Sequence, residues 1–198
     1  MAQTPMPWEK KYDESEVLDR AVAAFWDHGY EATSISTLVK ATGLNRGSLY
    51  AAFGDKRGLF LRALDHYDQT RRQVFLHALT AGEPPRAAIR ALFRRVAEGS
   101  LGGHDRRGCL LVNTALELAP YDPEIERIVT ERLGELEAFF RDRIIAAQRD
   151  DTVAPGTDAE DAGRLLLSLF IGLRVITRSY PRPKVVGSIL GQVDAILG

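Results

Sequence analysis

Side chains between residues 46 and 50 could contact a nucleic acid. Arg46 offers a planar set of hydrogen-bond donors, and Gly47 leaves the backbone bare. Ser48 and Tyr50 add hydroxyl groups. Such groups suit a helix whose N-terminal end enters the major groove of DNA, where the base edges offer donors and acceptors. The alternative is that Arg46 is a solvated charge and Tyr50 a half-buried aromatic residue.

The single cysteine, Cys109, is a second candidate for chemistry. It follows Arg106 and Arg107, and we expect it in the first turn of a helix. A helix N-terminus and nearby cations favour the thiolate, which is the reactive form of the side chain. The alternative is a small buried hydrophobic residue. Because one cysteine cannot form an internal disulfide, the sequence favours a reducing compartment, and we expect a cytoplasmic protein.

Helices have to position these groups, because apolar residues recur at intervals of three and four along the whole sequence. We predict an all-α fold of about nine helices and no strand. Ser34 and Ser36 can cap one short helix and Asn45 a second, and the two helices have the lengths that a helix–turn–helix needs. Gly43, between them, can adopt the positive φ of a sharp turn.

Further helices are predicted along the rest of the chain. Asp55 is expected to start a long helix that ends near Thr80, and residues 99–105 are expected to form a loop. Another helix is expected from about Arg107 to Leu118. The remaining predicted starts are at Pro84-Pro85, Asp122-Pro123, Asp158 and Pro183.

Composition and motifs exclude several classes of function. Lys and Arg number 26 against 27 Asp and Glu, so DNA binding would depend on residues 40–59, which hold four basic residues and one acidic residue. No apolar stretch reaches the length of a membrane span, and the N-terminus does not resemble a signal peptide. The histidines at positions 28, 66, 77 and 104 lack metal-ligand spacing. Phosphate-loop, dinucleotide and nucleophile motifs are also absent. We therefore expect no enzyme, no metal, no cofactor and no membrane partner.

Three segments together resemble the DNA-binding domain of the TetR family of transcriptional regulators. They are Phe-Trp-Asp-His-Gly-Tyr-Glu-Ala-Thr-Ser (25–34), Ala-Thr-Gly-Leu-Asn-Arg-Gly-Ser-Leu-Tyr (41–50) and Phe-Gly-Asp-Lys (53–56). The resemblance implies a homodimeric repressor that binds a palindromic double-stranded operator and is released by a small-molecule or thiol-reactive inducer. It also implies a three-helix DNA-binding head in residues 1–56 and a helical ligand-binding and dimerisation domain in residues 57–198.

The resemblance assigns DNA contacts by position in the motif. Thr33 and Ser34, at the start of the second helix, would contact DNA phosphates. Tyr50 and Lys56, which starts the fourth helix, would contact phosphates too. Lys56 lies in a first helical turn, where a cation opposes the helix dipole, and a bound phosphate would explain it. Alanines follow Tyr50 where family members often carry polar or aromatic residues, so base selection would depend on Asn45, Arg46 and Ser48. The predicted DNA-binding residues are Thr33, Ser34, Asn45, Arg46, Gly47, Ser48, Tyr50 and Lys56.

The last two predicted helices, 158–179 and 183–197, are rich in apolar residues. These cover almost the full circumference of the first helix, which indicates burial on all sides. A dimer interface of four helices needs an apolar surface on two helices of each protomer. The resemblance to the TetR family also implies an interface on the last two helices. The alternative is that both helices complete the core of a monomer. The predicted interface residues are Leu165, Leu169, Leu173, Val186, Ile189 and Val193.

A non-covalent effector is expected between the central helices, although aromatic residues at helical spacing also form cores. The segment Gly108-Cys109-Leu110-Leu111 resembles a TetR subgroup in which some members respond to electrophiles or oxidants. The predicted effector-binding or sensing residues are Cys109, Phe93, Asn113, Phe139, Phe140, Arg143 and Phe170. The rival interpretation is a helical protein–protein interaction module without DNA binding, which leaves Arg46, Tyr50 and Lys56 unexplained.

Overall fold

The computed structural model describes residues 12–101 and 107–198, and the regular structure within these ranges is entirely helical. The all-α prediction is therefore confirmed. The chain divides into two compact units, Met1–Asp68 and Gln69–Gly198. The predicted boundary lies after residue 56, whereas the contacts keep the helix that follows this position with the first unit. No helix in the described ranges combines the length and apolar character needed to cross a lipid bilayer.

The first unit contains four α-helices in its described residues, 12–68. They are α1 (Glu14–His28), α2 (Ile35–Thr42), α3 (Arg46–Phe53) and α4 (Lys56–Tyr67). α1 packs against α2 and α4, and α3 also packs against both. The buried rings of Phe25 on α1 and Phe60 on α4 meet edge to face, with their centroids 5.0 Å apart. This contact fixes the two longer helices against each other, and they support the short pair α2 and α3.

Each helix of the first unit begins at a side chain that accepts a hydrogen bond from the backbone of the first turn. The capping residues are Asp13, Ser34, Asn45 and Asp55. Such caps satisfy N–H groups that have no partner within the helix. Because α2 and α3 have only eight residues each, caps and packing must stabilise them. The predicted helix starts at Ser34, Asn45 and Asp55 are confirmed.

A π-helix, Asp68–Arg72, follows α4, and the described part of the second unit contains six further α-helices. They are α5 (Gln73–Thr80), α6 (Pro85–Leu101), α7 (Leu110–Glu117), α8 (Pro123–Arg149), α9 (Ala159–Ser179) and α10 (Pro183–Leu197). The predicted long helix from Asp55 to Thr80 is thus divided by the π-helix. If α4, the π-helix and α5 are counted as one helical stretch, the described residues contain nine helices, which is the predicted number.

Two predicted boundaries near Cys109 are wrong. α6 continues to Leu101, so residues 99–101 are helical rather than part of a loop, and residues 102–106 lie outside the described residues. α7 begins at Leu110, and Cys109 precedes it with an extended backbone (φ −118°, ψ 126°). The cysteine therefore lies at the entrance of the helix and not within its first turn. No side chain caps this helix, so the tertiary packing of α7 determines where it starts.

Aromatic rings form the centre of the second unit. Phe93 of α6, Phe140 of α8 and Phe170 of α9 are buried, and their ring centroids lie between 5.5 and 6.0 Å apart. α8 and α9 approach closely at Gly163, where an added Cβ would lie 3.1 Å from the backbone nitrogen of Arg141. Large apolar area buried in tilted and edge-to-face contacts stabilises this unit.

Candidate nucleic-acid interface

The turn between α2 and α3 is fixed by backbone conformation and by hydrogen bonds. Gly43 has a φ of 76°, in the left-handed region that favours glycine. Thr42 Oγ1 donates to the carbonyl of Leu38 at 2.7 Å and accepts from the amide of Leu44 at 3.3 Å. Leu38 and Leu49 are buried, so the two helices share an apolar corner. The predicted helix–turn–helix and the predicted role of Gly43 are confirmed.

The outer side of α3 carries side chains that were predicted to contact DNA. Arg46 and Gly47 are exposed, and Ser48 and Tyr50 are half-buried. The guanidinium of Arg46 donates from Nη2 to the Tyr50 hydroxyl at 3.3 Å, and its Cζ lies 5.5 Å from the centroid of the Tyr50 ring. A guanidinium has five N–H donors, so Arg46 keeps donors for an external acceptor. The structure thus brings Arg46 and Tyr50 together as an exposed pair.

Asn45 has a structural role in addition to its predicted contact with DNA. Its Oδ1 accepts a hydrogen bond from the amide of Ser48 at 2.8 Å and so begins α3. The side-chain NH₂ group is the part of Asn45 with donors for another partner. An added Cβ at Gly47 would lie 3.4 Å from Asn45 Oδ1, an ordinary contact. The packing of the protein itself therefore does not require a glycine at position 47.

The predicted phosphate contact of Thr33 is wrong for its side chain. Thr33 is 0% exposed, and its hydroxyl donates to the carbonyl of Gly29, with the carbonyl of Ala24 at 3.4 Å. A buried hydroxyl needs such a partner, and this contact holds the loop between α1 and α2. Ser34, by contrast, is exposed and caps α2, as its Oγ accepts from the amide of Thr37 at 3.1 Å.

Two more hydroxyl groups lie beside Ser34 and were not predicted as site residues. Ser34 Oγ lies 2.7 Å from Ser36 Oγ and 2.9 Å from Thr37 Oγ1. All three side chains stand at the N-terminal end of α2, where the helix dipole and backbone N–H groups favour an anion. The signal in the sequence is the run Ser34-Ile35-Ser36-Thr37, in which three hydroxyl residues fall within one helical turn.

Lys56 has a partner within the protein. The argument that a lysine at this position points to a bound phosphate is therefore wrong. Its Nζ donates to the backbone carbonyl of Glu31 at 3.3 Å and lies 4.3 Å from the centroid of the Tyr30 ring. A cation over an aromatic ring, with a carbonyl acceptor, accounts for a lysine in the first turn of α4. A phosphate is therefore not needed to explain Lys56, although the half-buried side chain stands near the start of that helix.

Comparison with known families covers both units. Residues 17–63 match the sequence model described as bacterial regulatory proteins of the tetR family. Residues 85–189 match the model described as the C-terminal domain of tetracyclin-repressor-like proteins. The chain belongs to the TetR family of transcriptional regulators. The helix–turn–helix of α2 and α3 lies within the first of the two matches.

Relatives of this TetR-family chain extend over most of its length. The HTH-type transcriptional regulator YezE of Bacillus subtilis is 31% identical, over 85% of this chain and 88% of its own. The HTH-type transcriptional repressor ComR of Escherichia coli is 28% identical, over 85% of this chain and 81% of its own. The solved structure of a cysteine mutant of the regulator CifR with 26-base-pair operator DNA has a TM-score of 0.78 and 30% identity, covering 95% of this chain and 97% of CifR. The predicted subgroup with a Gly-Cys-Leu-Leu segment is not confirmed by these comparisons.

The residues predicted to bind the effector of this TetR regulator fall into two groups. The rings of Phe93, Phe140 and Phe170 pack against one another in the core, as the alternative of core residues expects, and their role in binding an effector stays a prediction. Phe139 packs on the edge of this core, where the Cζ of Arg143 lies 5.4 Å from its ring centroid.

Cys109 and Asn113 form the second group, at the start of α7. Cys109 is 7% exposed, and the Asn113 side-chain amide donates to the carbonyl of Arg107 at 3.1 Å. Arg106, which was predicted to favour the thiolate, lies outside the described residues. The roles of both residues in sensing an effector stay predictions.

Half of the predicted dimer interface is wrong. Leu173, Val186 and Val193 are 0%, 1% and 2% exposed within one protomer, because they pack into the core of the second unit. Leu165 is 49% exposed, whereas Leu169 and Ile189 are half-buried against the core. Val175 is also exposed, six residues after Leu169 and ten after Leu165 on α9. The protomer leaves these apolar side chains uncovered. They lie on the last two helices, where the dimer interface is predicted.

Proposed function

We propose that the protein is a repressor that binds a palindromic double-stranded operator as a homodimer and leaves it when an effector binds. The observation that carries the proposal is the position of α3. A glycine turn, an apolar corner and the Asn45 cap hold this helix, while Arg46 and Gly47 at its N-terminal end face solvent. A recognition helix in the major groove contacts base edges with its N-terminal residues.

Within this proposal, base reading belongs to the N-terminal turn of α3. Arg46 is proposed to reach a guanine edge with its free donors, and the Asn45 amide and Ser48 hydroxyl to contact neighbouring bases. The bare backbone of Gly47 allows close approach to DNA. Tyr50 and Ser34 are proposed to bind phosphates, and Ser36 and Thr37 extend the hydroxyl cluster. Lys56 would reach a phosphate only by leaving Glu31 and Tyr30.

The relatives support this proposal. CifR was solved with double-stranded operator DNA, and ComR is named a repressor. These properties are those of CifR and ComR. Their transfer to this chain is supported by identities of 30% for CifR and 28% for ComR, over most of the length of both chains. A chromosomal operator would place the protein in the cytoplasm, and we propose that its activity is DNA binding and not catalysis.

A mobility-shift assay with the DNA upstream of its own gene tests the proposal. Arg46→Ala is expected to weaken operator binding by about 1–3 kcal/mol and to relax selectivity at one base position, because a bidentate contact with a guanine is lost. Arg94→Ala is the matched control, since Arg94 is an exposed arginine on α6. Equal binding by wild type and Arg46→Ala would contradict the proposed role of α3. A folded protein that binds no DNA would favour the alternative of a helical protein–protein interaction module.

The dimer part of the proposal depends on the uncovered face of α9 and α10. Exposed Leu165 and half-buried Leu169 and Ile189 are proposed to pack against the same residues of the partner protomer. Two-fold symmetry then requires half-sites about one helical turn of DNA apart, or a multiple of it. Methylation footprints with that spacing on both half-sites would support the dimer, and a single protected half-site would contradict it.

We further propose that modification of Cys109 weakens operator binding. Its side chain is 7% exposed at the entrance of α7, so a bulky adduct on sulfur would have to displace the packing around it. N-ethylmaleimide should therefore release operator from the wild type and leave Cys109→Ser bound. If the reagent releases both proteins equally, the sensor role is wrong. If it modifies the cysteine without releasing DNA, Cys109 is a packing residue.

A further inference from the structure

Arg174 on α9 lies against two aromatic rings of the second unit. Its Cζ is 5.4 Å from the ring centroid of Phe170 and 5.6 Å from that of Phe75 on α5. Phe170 also contacts Phe93, so the guanidinium stands at the edge of the aromatic core. Weak hydration lets an arginine head group occupy such a place more readily than an ammonium. The two rings restrict where the guanidinium can move.

The guanidinium of Arg174 is not satisfied within the described part of the protein. Its Nε is buried and has no hydrogen-bond partner there. Other arginines of this unit are paired: Arg72 with Glu135, and Arg90 with Asp194. An unsatisfied buried donor costs free energy, and more so when it carries charge. The rest of the Arg174 side chain is partly exposed, so an acceptor could reach it from solvent.

The start of α7 approaches α9 beside Arg174. Gly108 has a φ of 78°, and an added Cβ there would lie 3.3 Å from Arg178 Cδ, 3.6 Å from Asn113 Oδ1 and 3.7 Å from the Arg174 carbonyl. The entrance of α7 therefore lies against the backbone of Arg174 and the side chain of Arg178. Asn113 and Cys109 were predicted as effector residues, whereas Arg174 and Phe75 were not. A basic residue inside an apolar helix was the signal in the sequence.

We propose that Arg174 binds the carboxylate of a small amphipathic acid. The carboxylate oxygens accept hydrogen bonds from the two Nη groups of the guanidinium, and the apolar body of the acid lies against Phe75 and Phe170. The aromatic surroundings favour a weakly hydrated monoanion over a phosphate. This inference rests on the proposed function, because it gives the effector of the proposed repressor a chemical class.

Thermal unfolding of the full chain with matched acids and amides tests the inference. Benzoate and hexanoate at about ten times their dissociation constants are expected to raise the Tm of the wild type by about 3 °C, and benzamide and hexanamide are not. Arg174→Met keeps a flexible apolar side chain between the rings and should lose the shift. Arg174→Lys should lose most of it, because a lysine lacks the planar fork. Arg94→Met should keep it.

Two results would overturn the inference. One is equal shifts for acids and amides, or no shift with any of them, in the wild type. The other is an undiminished shift in Arg174→Met. Operator binding is measured separately, by anisotropy with and without benzoate. An acid that raises the Tm but does not release DNA would leave the carboxylate site standing and would count against the proposed effector response alone.

Discussion

The two units of this TetR-family chain are stabilised in different ways. In the first, short helices begin at polar side-chain caps, and Gly43 fixes the turn between α2 and α3. In the second, α5, α7 and α10 begin without a side-chain cap, and buried aromatic rings hold α6, α8 and α9 together. Side-chain caps begin every described helix of the first unit, whereas in the second unit they begin α8 and α9, so packing has the larger part in specifying the second unit. The first arrangement suits a surface that must keep its shape, and the second suits one that adapts to a ligand.

Truncation in the aromatic core should have the largest effect. Phe140 is 0% exposed and contacts Phe93 and Phe170. Phe140→Ala should lower the free energy of unfolding by about 3–5 kcal/mol, because the lost transfer energy adds to that of a cavity. Urea unfolding monitored by circular dichroism measures the change. Phe140→Leu should lose less, and an equal loss in the two variants would mean that ring packing does not stabilise this unit.

A second variant tests the junction between α3 and α4. An added Cβ at Gly58 would lie 2.1 Å from the backbone oxygen of Phe53, so Gly58→Ala must displace backbone. We expect a loss of about 1–3 kcal/mol of stability, together with weaker operator binding. Gly134→Ala on α8 is the control, since nothing lies within 4 Å of its added Cβ, and it should stabilise the chain. If Gly58→Ala has the same free energy of unfolding as the wild type, the close contact between Gly58 and Phe53 does not hold α3 in place.

The dimer interface can be broken without entering the protomer core. Leu165 is 49% exposed in one protomer, so Leu165→Glu should fold normally. Burying the new charge against a partner is costly, and the dimer should dissociate at micromolar concentrations. Light scattering after size exclusion gives the mass. Glu131→Gln, on α8, is an exposed control. A dimer that persists in Leu165→Glu would place the interface elsewhere.

The smallest effect separates the two roles of Asn45. Asn45→Ala removes the cap of α3 and should cost about 1 kcal/mol of stability. Asn45→Asp keeps an oxygen for the Ser48 amide, so stability should be retained, but the added negative charge should weaken operator binding. Thermal unfolding and anisotropy measure the two quantities. If both variants lose stability equally, the cap does not hold α3.

The difference between the units also explains what could be predicted from sequence. Caps and the glycine turn depend on neighbours in the chain, so Ser34, Gly43 and Asn45 were identified from residue type alone. Thr33 was misassigned because only the fold reveals that the carbonyl of Gly29 takes its hydroxyl. Leu173 was misassigned because an apolar residue on an all-round apolar helix does not disclose which side meets its own core.

The same limit applies to the candidate effector site. Aromatic residues of the sequence suggested a ligand, but the ring contacts of Phe93 and Phe140 are core contacts. Arg174 became a candidate because its buried Nε has no hydrogen-bond partner. The spacing of residues in the sequence does not predict such an unpaired donor. Only long-range packing shows that the rings of Phe93 and Phe140 meet in the core and that Arg174 Nε lacks a partner.

The engagement of Lys56 with Glu31 and Tyr30 has a consequence for how ionic strength acts on this regulator. Each phosphate that a protein neutralises releases condensed counterions, and the dependence of affinity on salt counts these contacts. An ammonium that stays on a carbonyl and a ring makes no phosphate contact, and it therefore adds little to that count. Affinity for the operator should then fall with added salt at nearly the same rate in the wild type and in a chain that lacks this lysine.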